Sequence, residues 1–189
     1  MRETARTDPL TMLLNRRGFD ERFGLELERA RRAGGPVALL LGDLDRFKAL
    51  NDRFGHAAGE TALACVGQTL VLGCRSIDTV ARVGGEEFAI VLPATGAGGG
   101  RELAERLRQD VPQVADGDGR ALTMSFGVVE YPREGEAAHN LMRAADQALY
   151  RQGVGPRPHG GRRYARGRGA GAGSLSCTTL DGWRRAPAS

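Results

Sequence analysis

The sequence predicts an α/β or α+β domain, with helices packed on a mixed or antiparallel sheet of four or five strands. Three observations carry this. Phe19, Phe23, Leu27 and Ala30 recur at helical spacing, and later segments repeat the pattern. Val37-Ala38-Leu39-Leu40-Leu41 is an unbroken apolar run, as expected of a strand buried on both faces. Two short apolar runs flank Gly84-Gly85, which signals a hairpin whose turn takes positive φ.

Taken in order, Asp8-Pro9-Leu10-Thr11 reads as a turn, with Asp or Thr available to cap a helix. The first helix stops at Gly34-Gly35, and the apolar strand ends at Gly42-Asp43-Leu44-Asp45, where two acids stand together. Leu44, Phe47, Leu50 and Phe54 predict a short helix broken at Gly55, and a longer helix follows over 58–74. Strands are predicted over 79–83 and 87–92, a helix over 101–111, a strand over 121–129, and a last helix around 141–148. The order is α-β-α-α-β-β-α-β-α, without an internal repeat.

Composition excludes several classes. Apolar residues make up 41% of 189, a globular value, and the chain holds no run of about 18 apolar residues to span a membrane. The start lacks a signal peptide's apolar stretch, so a cytoplasmic setting is expected. Cys65, Cys74 and Cys177 are scattered and fit neither a zinc site nor a disulfide framework. The net charge of +4 resides in residues 152–189, which hold seven Arg and one acid, while the remainder carries −2. Aromatic residues are nearly absent from that tail, so specific nucleic-acid binding is not expected. The tail cannot bury a core and is expected to be disordered. A natural basic tail, a passive linker and a reading-frame change are its three readings, and the third is favoured. Residues 1–7 are a short lead, and 8–151 form the domain.

The chemistry gathers at the strand end and the glycine turn. A carboxylate closing a buried strand, Asp43, meets Glu86 and Glu87 if the hairpin neighbours that strand. Close carboxylates repel unless a cation joins them. Hard oxygen ligands suit Mg²⁺. Glycines at 84 and 85 let a flat ligand approach the backbone. The single lysine of the chain, Lys48, lies in this region against 26 arginines. Taken singly, each feature has a plain structural reading: a helix cap, a solvated hairpin, a surface charge.

Together they resemble the GGDEF family of diguanylate cyclases. The hallmark stands as Gly84-Gly85-Glu86-Glu87-Phe88. Asp43-Leu44-Asp45-Arg46-Phe47-Lys48-Ala49-Leu50-Asn51-Asp52 resembles the family's D-x-D-x-F-K-x-x-N-D, continued by Phe54-Gly55-His56-Ala57-Ala58-Gly59. Asp8-Pro9-Leu10-Thr11 with Asn15-Arg16-Arg17, and Ala145-Asp146-Gln147-Ala148-Leu149-Tyr150, match its entry and closing helix.

The resemblance implies an α+β fold, an α/β sandwich with a five-stranded, mixed, mostly antiparallel sheet similar to the polymerase palm. It implies a reaction in which two GTP become cyclic di-GMP with release of two pyrophosphates, in a homodimer. Asp43, Glu86 and the Leu44 carbonyl would bind Mg²⁺, with Mn²⁺ as the alternative. Glu86 would accept the 3′-hydroxyl proton, and Lys48 would stabilise phosphate charge. Phe47, Asn51, His56, Glu60, Gly84, Gly85 and Glu87 would surround GTP. Arg75 and Asp78, an R-x-x-D tetrad, would form an inhibitory site for cyclic di-GMP.

The chain departs from the family at Glu60, where Asp is usual, and after Tyr150, where an expected Lys, Arg and last strand are missing. No sensory domain is expected ahead of the catalytic part. A competing reading is a catalytically impaired module that binds cyclic di-GMP or GTP as a sensor.

Overall fold

The computed structural model describes residues 5–111 and 121–151. The tail over 152–189, with Cys177, lies outside the described residues. The predicted order of elements is found: α1 Arg16–Ala33, β1 Val37–Leu44, α2 Phe47–Phe54, α3 His56–Gly73, β2 Thr79–Arg82, β3 Glu87–Pro93, α4 Ala97–Asp110, β4 Met124–Tyr131 and α5 Ala138–Arg151.

Among the described residues the sheet has four strands in the order β2-β3-β1-β4. All three pairings are antiparallel. The sequence reading of four or five strands thus stands at four among the described residues, all antiparallel, where the resemblance implied five in a mixed sheet. Parallel pairing among the described residues is confined to the isolated bridge between Leu14 and Ala81, where the segment before α1 lies along the β2 edge.

The continuous apolar run of β1 has its predicted cause. Leu40 and Leu44 pack with Leu63, Val66, Leu70 and Ile90 on the face covered by α2, α3 and α4. Val37, Leu39 and Leu41 pack with Phe19, Phe23 and Leu149 on the face covered by α1 and α5. Alternation along β1 thus feeds two core layers, and Asp43 continues the second row at the end of the sheet.

Boundaries differ from the sequence expectation, β4 running over Met124–Tyr131 and not 121–129, and two of the helix starts are instructive. α4 begins at Ala97, not Arg101, and runs through Gly98, Gly99 and Gly100. Glycine inside a helix costs about 1 kcal/mol relative to Ala. Gly100 lies so close to the sheet that a Cβ would come within 2.9 Å of Val128 and 3.0 Å of Ala38. The Glu130 carboxylate accepts the Ala97 N–H at 2.6 Å and caps the helix from β4. α1 is capped by Asn15, whose side chain accepts the Gly18 N–H at 3.0 Å, and not by Asp8 or Thr11. Asp8 instead closes the turn by accepting the Thr11 N–H and hydroxyl at 2.9 and 2.7 Å.

Candidate functional site: an acidic corner at the end of β1

Antiparallel pairing settles which residues meet. Asp43 stands opposite Glu87 of β3 and opposite Ser125 of β4. The Leu44 N–H donates to the Glu86 carbonyl at 3.2 Å. The strand end and the glycine turn are therefore one corner of the molecule, as expected from the sequence. Cross-strand neighbours have Cβ atoms about 4.5–5.5 Å apart, and like charges so placed repel.

Burial pushes the Glu86 carboxyl above its ordinary range, and the adjacent Glu87 charge adds to the shift. Among the described residues no arginine or lysine forms an ion pair with Glu86 or Glu87. The donor set here is hard: carboxylate oxygens of Asp43 and Glu86 and the backbone oxygen of Leu44. Among the described residues no cluster of three or more His, Cys, Asp or Glu is arranged to hold a metal ion. This corner suits a cation that keeps most of its water, which is the habit of Mg²⁺.

The glycine turn has a different physical basis from the one expected. Neither Gly84 nor Gly85 has positive φ; among the described residues the glycines with positive φ are Gly34, Gly55 and Gly135. Gly84 is small because the Glu87 carboxylate folds into the space a Cβ would fill, whereas Gly85 is open. Val83 and Gly84 both donate to the Glu87 carbonyl, at 2.9 and 3.3 Å, which closes the turn without a primed conformation.

α2 and α3 supply the second half of the site. Asp45 and Arg46 join β1 to α2, and Arg46 takes the left-handed conformation (φ 59°). Lys48 is exposed in the first turn of α2, and Phe47 and Asn51 lie one turn apart on its inner side. Gly55 (φ 83°) ends α2 and starts α3 in a conformation suited to glycine. His56 and Glu60 are exposed in the first turn of α3. A Cβ on Gly59 would collide with the Asn51 Oδ1 and come within 3.0 Å of Phe47. That Oδ1 is buried without a hydrogen-bond partner. A buried acceptor without a partner stands out, since buried polar groups are nearly always hydrogen-bonded.

The Arg75–Asp78 pair lies elsewhere, at the opposite end of β2. Arg75 Nη2 donates to the Asp78 carboxylate at 2.8 Å and to the Thr95 hydroxyl at 2.9 Å. The Arg75 backbone N–H donates to Asp78 at 2.8 Å. An open groove of about 390 Å³ beside the pair is lined by Met12, Leu14, Arg22, Val71 and Cys74, among others. Burial, then the Asp78 charge, pushes the Cys74 thiol up to about 12, so it stays protonated.

Several residues here carried no assignment from the sequence. Arg82 donates to both oxygens of Asp8 at 3.2 Å and to the Gly85 carbonyl at 2.7 Å, tying the turn to the segment before α1. Asp45 accepts hydroxyl protons from Thr123 and Ser125. The contacts with Asp8, Thr123 and Ser125 join residues 74 to 80 positions apart, which one sequence does not reveal.

The family model described as "Diguanylate cyclase, GGDEF domain" matches residues 5–157. The chain is 44% identical over 153 residues to the diguanylate cyclase DgcP of Pseudomonas aeruginosa, covering 79% of this chain and 23% of DgcP. The GGDEF domain of DgcB from Caulobacter crescentus, solved with c-di-GMP, superposes with a TM-score of 0.72 at 33% identity, covering 79% of this chain and 91% of that one. The active GGEEF domain of a diguanylate cyclase from Vibrio cholerae gives 0.70 at 31% identity, covering 74% and 90%. This chain belongs to the GGDEF family, the diguanylate cyclase GGDEF domains.

Proposed function

We propose that this domain is a diguanylate cyclase that condenses two GTP into cyclic di-GMP and releases two pyrophosphates, working as a homodimer with Mg²⁺ or Mn²⁺. The observation that carries the reading is the register: Asp43 opposite Glu87, with the Leu44 N–H on the Glu86 carbonyl.

In this reading Asp43, Glu86 and the Leu44 carbonyl hold the cation. The bound cation lowers charge on the phosphates and favours ionisation of the attacking hydroxyl. Glu86 takes the proton from a 3′-hydroxyl, a role suited to a carboxyl whose proton affinity is raised. The hydroxyl oxygen bonds to the α-phosphorus of the GTP in the facing domain, and pyrophosphate departs. Lys48 offsets charge on the phosphates, and its exposed place early in α2 leaves it free to reach them. Asn51, whose buried Oδ1 lacks a partner, would contact the base or sugar, beside Phe47, His56 and Glu60. Gly84, Gly85 and Glu87 shape the turn over which the nucleotide lies. Each domain holds one GTP, so two must face each other for both bonds to form.

Cyclic di-GMP as an inhibitor at Arg75 and Asp78 belongs to the same reading; the related DgcB domain was solved with that molecule. Among the described residues no helix is long and apolar enough to cross a membrane. A cytoplasmic setting supplies the GTP.

Purified protein incubated with GTP and Mg²⁺ tests the proposal by product analysis. Cyclic di-GMP that is lost in Glu86→Ala supports it. Tight binding of cyclic di-GMP with no product from GTP replaces it with a sensor.

A further inference from the structure

Asp43 and Asp45 look like a matched pair. Two positions apart on a strand, they would face the same way, about 6.8 Å apart. The structure joins Asp45 to Ser125, the cross-strand neighbour of Asp43. β1 ends at Leu44, and Asp45 continues its pairing with β4. Its N–H donates to the Thr123 carbonyl at 2.9 Å. Its Oδ2 accepts from the Thr123 hydroxyl at 2.6 Å, and its Oδ1 accepts from the Ser125 hydroxyl at 2.8 Å. Both carboxylate oxygens thus point at β4, on the far side of β1 from the Glu86 turn.

The peptide joining Leu44 to Asp45 has a consequence for the acidic corner. In a trans peptide, C=O and the following N–H point in opposite directions. The Asp45 N–H points to β4, so the Leu44 carbonyl points away from β4, toward the β3 side. Leu44 is pinned from that side by its own N–H on the Glu86 carbonyl. The next residue, Arg46, holds a left-handed φ of 59°, and no side chain caps α2. A non-glycine residue persists there when its surroundings hold it. The Asp45 bonds to β4 are the nearest such hold.

We propose that Asp45, with Thr123 and Ser125, is a clamp that fixes the Leu44–Asp45 peptide plane, so that the Leu44 carbonyl faces the Glu86 turn while Asp45 itself ligates nothing. It is a positioning residue. The inference builds on the cyclase reading for its kinetics and stands apart from it for its dynamics.

The test compares the full chain with Asp45→Asn, with the double variant Thr123→Val/Ser125→Ala, and with all three changes combined. Partners that orient metal ligands are typically worth about 10–100-fold in metal affinity. Each variant should raise the Mg²⁺ concentration for half-maximal turnover by about that factor, with a smaller change in kcat at saturating Mg²⁺. Residues acting as one unit are not additive, so the triple variant should match the double within about twofold. Thr123→Ser with Ser125→Thr keeps both hydroxyls and should restore normal Mg²⁺ dependence.

Amide hydrogen exchange at 44–47 should quicken in every hydroxyl-deleting or Asp45 variant without metal or nucleotide present. That readout holds even if the protein makes no cyclic di-GMP, so the two readings can fail separately. Unchanged exchange at 44–47 in Thr123→Val/Ser125→Ala overturns the clamp. Loss of turnover in Asp45→Asn at saturating Mg²⁺, beside normal Mg²⁺ dependence in the double variant, overturns it in favour of Asp45 as a ligand.

Discussion

Two charged sites flank β2, and their charges are balanced in different ways. At one end Arg75 and Asp78 satisfy each other: the guanidinium grips the carboxylate at 2.8 Å, and the Asp78 side chain is 2% exposed. At the other end Glu86 and Glu87 stand side by side with like charge, and Glu86 holds its proton more tightly as a result of burial and of Glu87. A self-paired site is complete without a ligand and binds one by sharing or exchanging its partners. A like-charged site is incomplete and gains most from a cation.

The widest break in that comparison comes from removing charge at the incomplete end. In Glu86→Gln or Asp43→Asn, kcat should fall about 10³-fold, since a metal at a phosphoryl centre supplies several kcal/mol of charge stabilisation. Without metal the effect on folding should have the opposite sign. Glu86 has a raised folded pKa, so the folded chain binds more protons than the unfolded one and stability falls as pH rises through that pKa. Glu86→Gln removes the slope. Its thermal midpoint in metal-free buffer should match wild type in acid and exceed it at neutral pH, and adding Mg²⁺ should reverse the order.

At the self-paired end, Arg75→Ala should leave turnover at low product within about twofold but weaken inhibition by cyclic di-GMP about 10–100-fold. That is the worth of one lost charge-assisted hydrogen bond, about 1.5–3 kcal/mol. The stability cost should be only about 1 kcal/mol, because Arg75 is half exposed and its backbone N–H still serves Asp78. Inhibition curves and thermal melts of the same preparation measure both.

The contrast also bears on what one sequence can reveal. Local pattern located every element, because β1 is apolar on both faces and the helices repeat at their own period. It also placed Asp43 beside the Glu86 turn, since a hairpin next to a strand end brings both to one corner. It misjudged the reason for Gly84, which makes room for the Glu87 carboxylate and supplies no positive φ. It missed the start of α4, where Gly100 resembles a helix breaker until its contact with Val128 is known. It left Asp45 and Arg82 unassigned, because their partners lie 74 to 80 residues away and only the folded sheet adjoins them. Short-range chemistry was legible; long-range hydrogen bonds were not.

Gly59→Ala sharpens the comparison without altering charge. The added methyl would displace the Asn51 Oδ1 from its pocket against α3. Losing one hydrogen bond to the nucleotide costs about 1 kcal/mol, so KM for GTP should rise about five- to tenfold. Mg²⁺ dependence should hold, and inhibition at Arg75 should be unaffected. A rise in the Mg²⁺ requirement instead would mean that the nucleotide cleft and the acidic corner are not separable.

The smallest effect is expected where the turn after β2 is tied to the segment before α1. Arg82, the last residue of β2, holds the Gly85 carbonyl and Asp8, and its side chain is 16% exposed against 18% for Asp8. Burial raises the Asp8 carboxyl pKa, but hydrogen bonds from Thr11 and Arg82 outweigh it and leave it below the ordinary value of 3.8. A depressed folded pKa means that the stabilisation is present above about pH 4 and is lost as pH falls through the folded value. Asp8→Asn should therefore be less stable than wild type by about 1 kcal/mol across pH 5 to 8, with the gap closing below the unfolded pKa of about 3.9. Because Arg82 keeps its bond to Gly85, kcat should drop by no more than about threefold, under 1 kcal/mol. Chemical melts taken at pH 3 and pH 7 give the first number, and initial rates at saturating Mg²⁺ give the second. A gap that persists at pH 3 would show that Asp8 stabilises the turn by shape and not by charge.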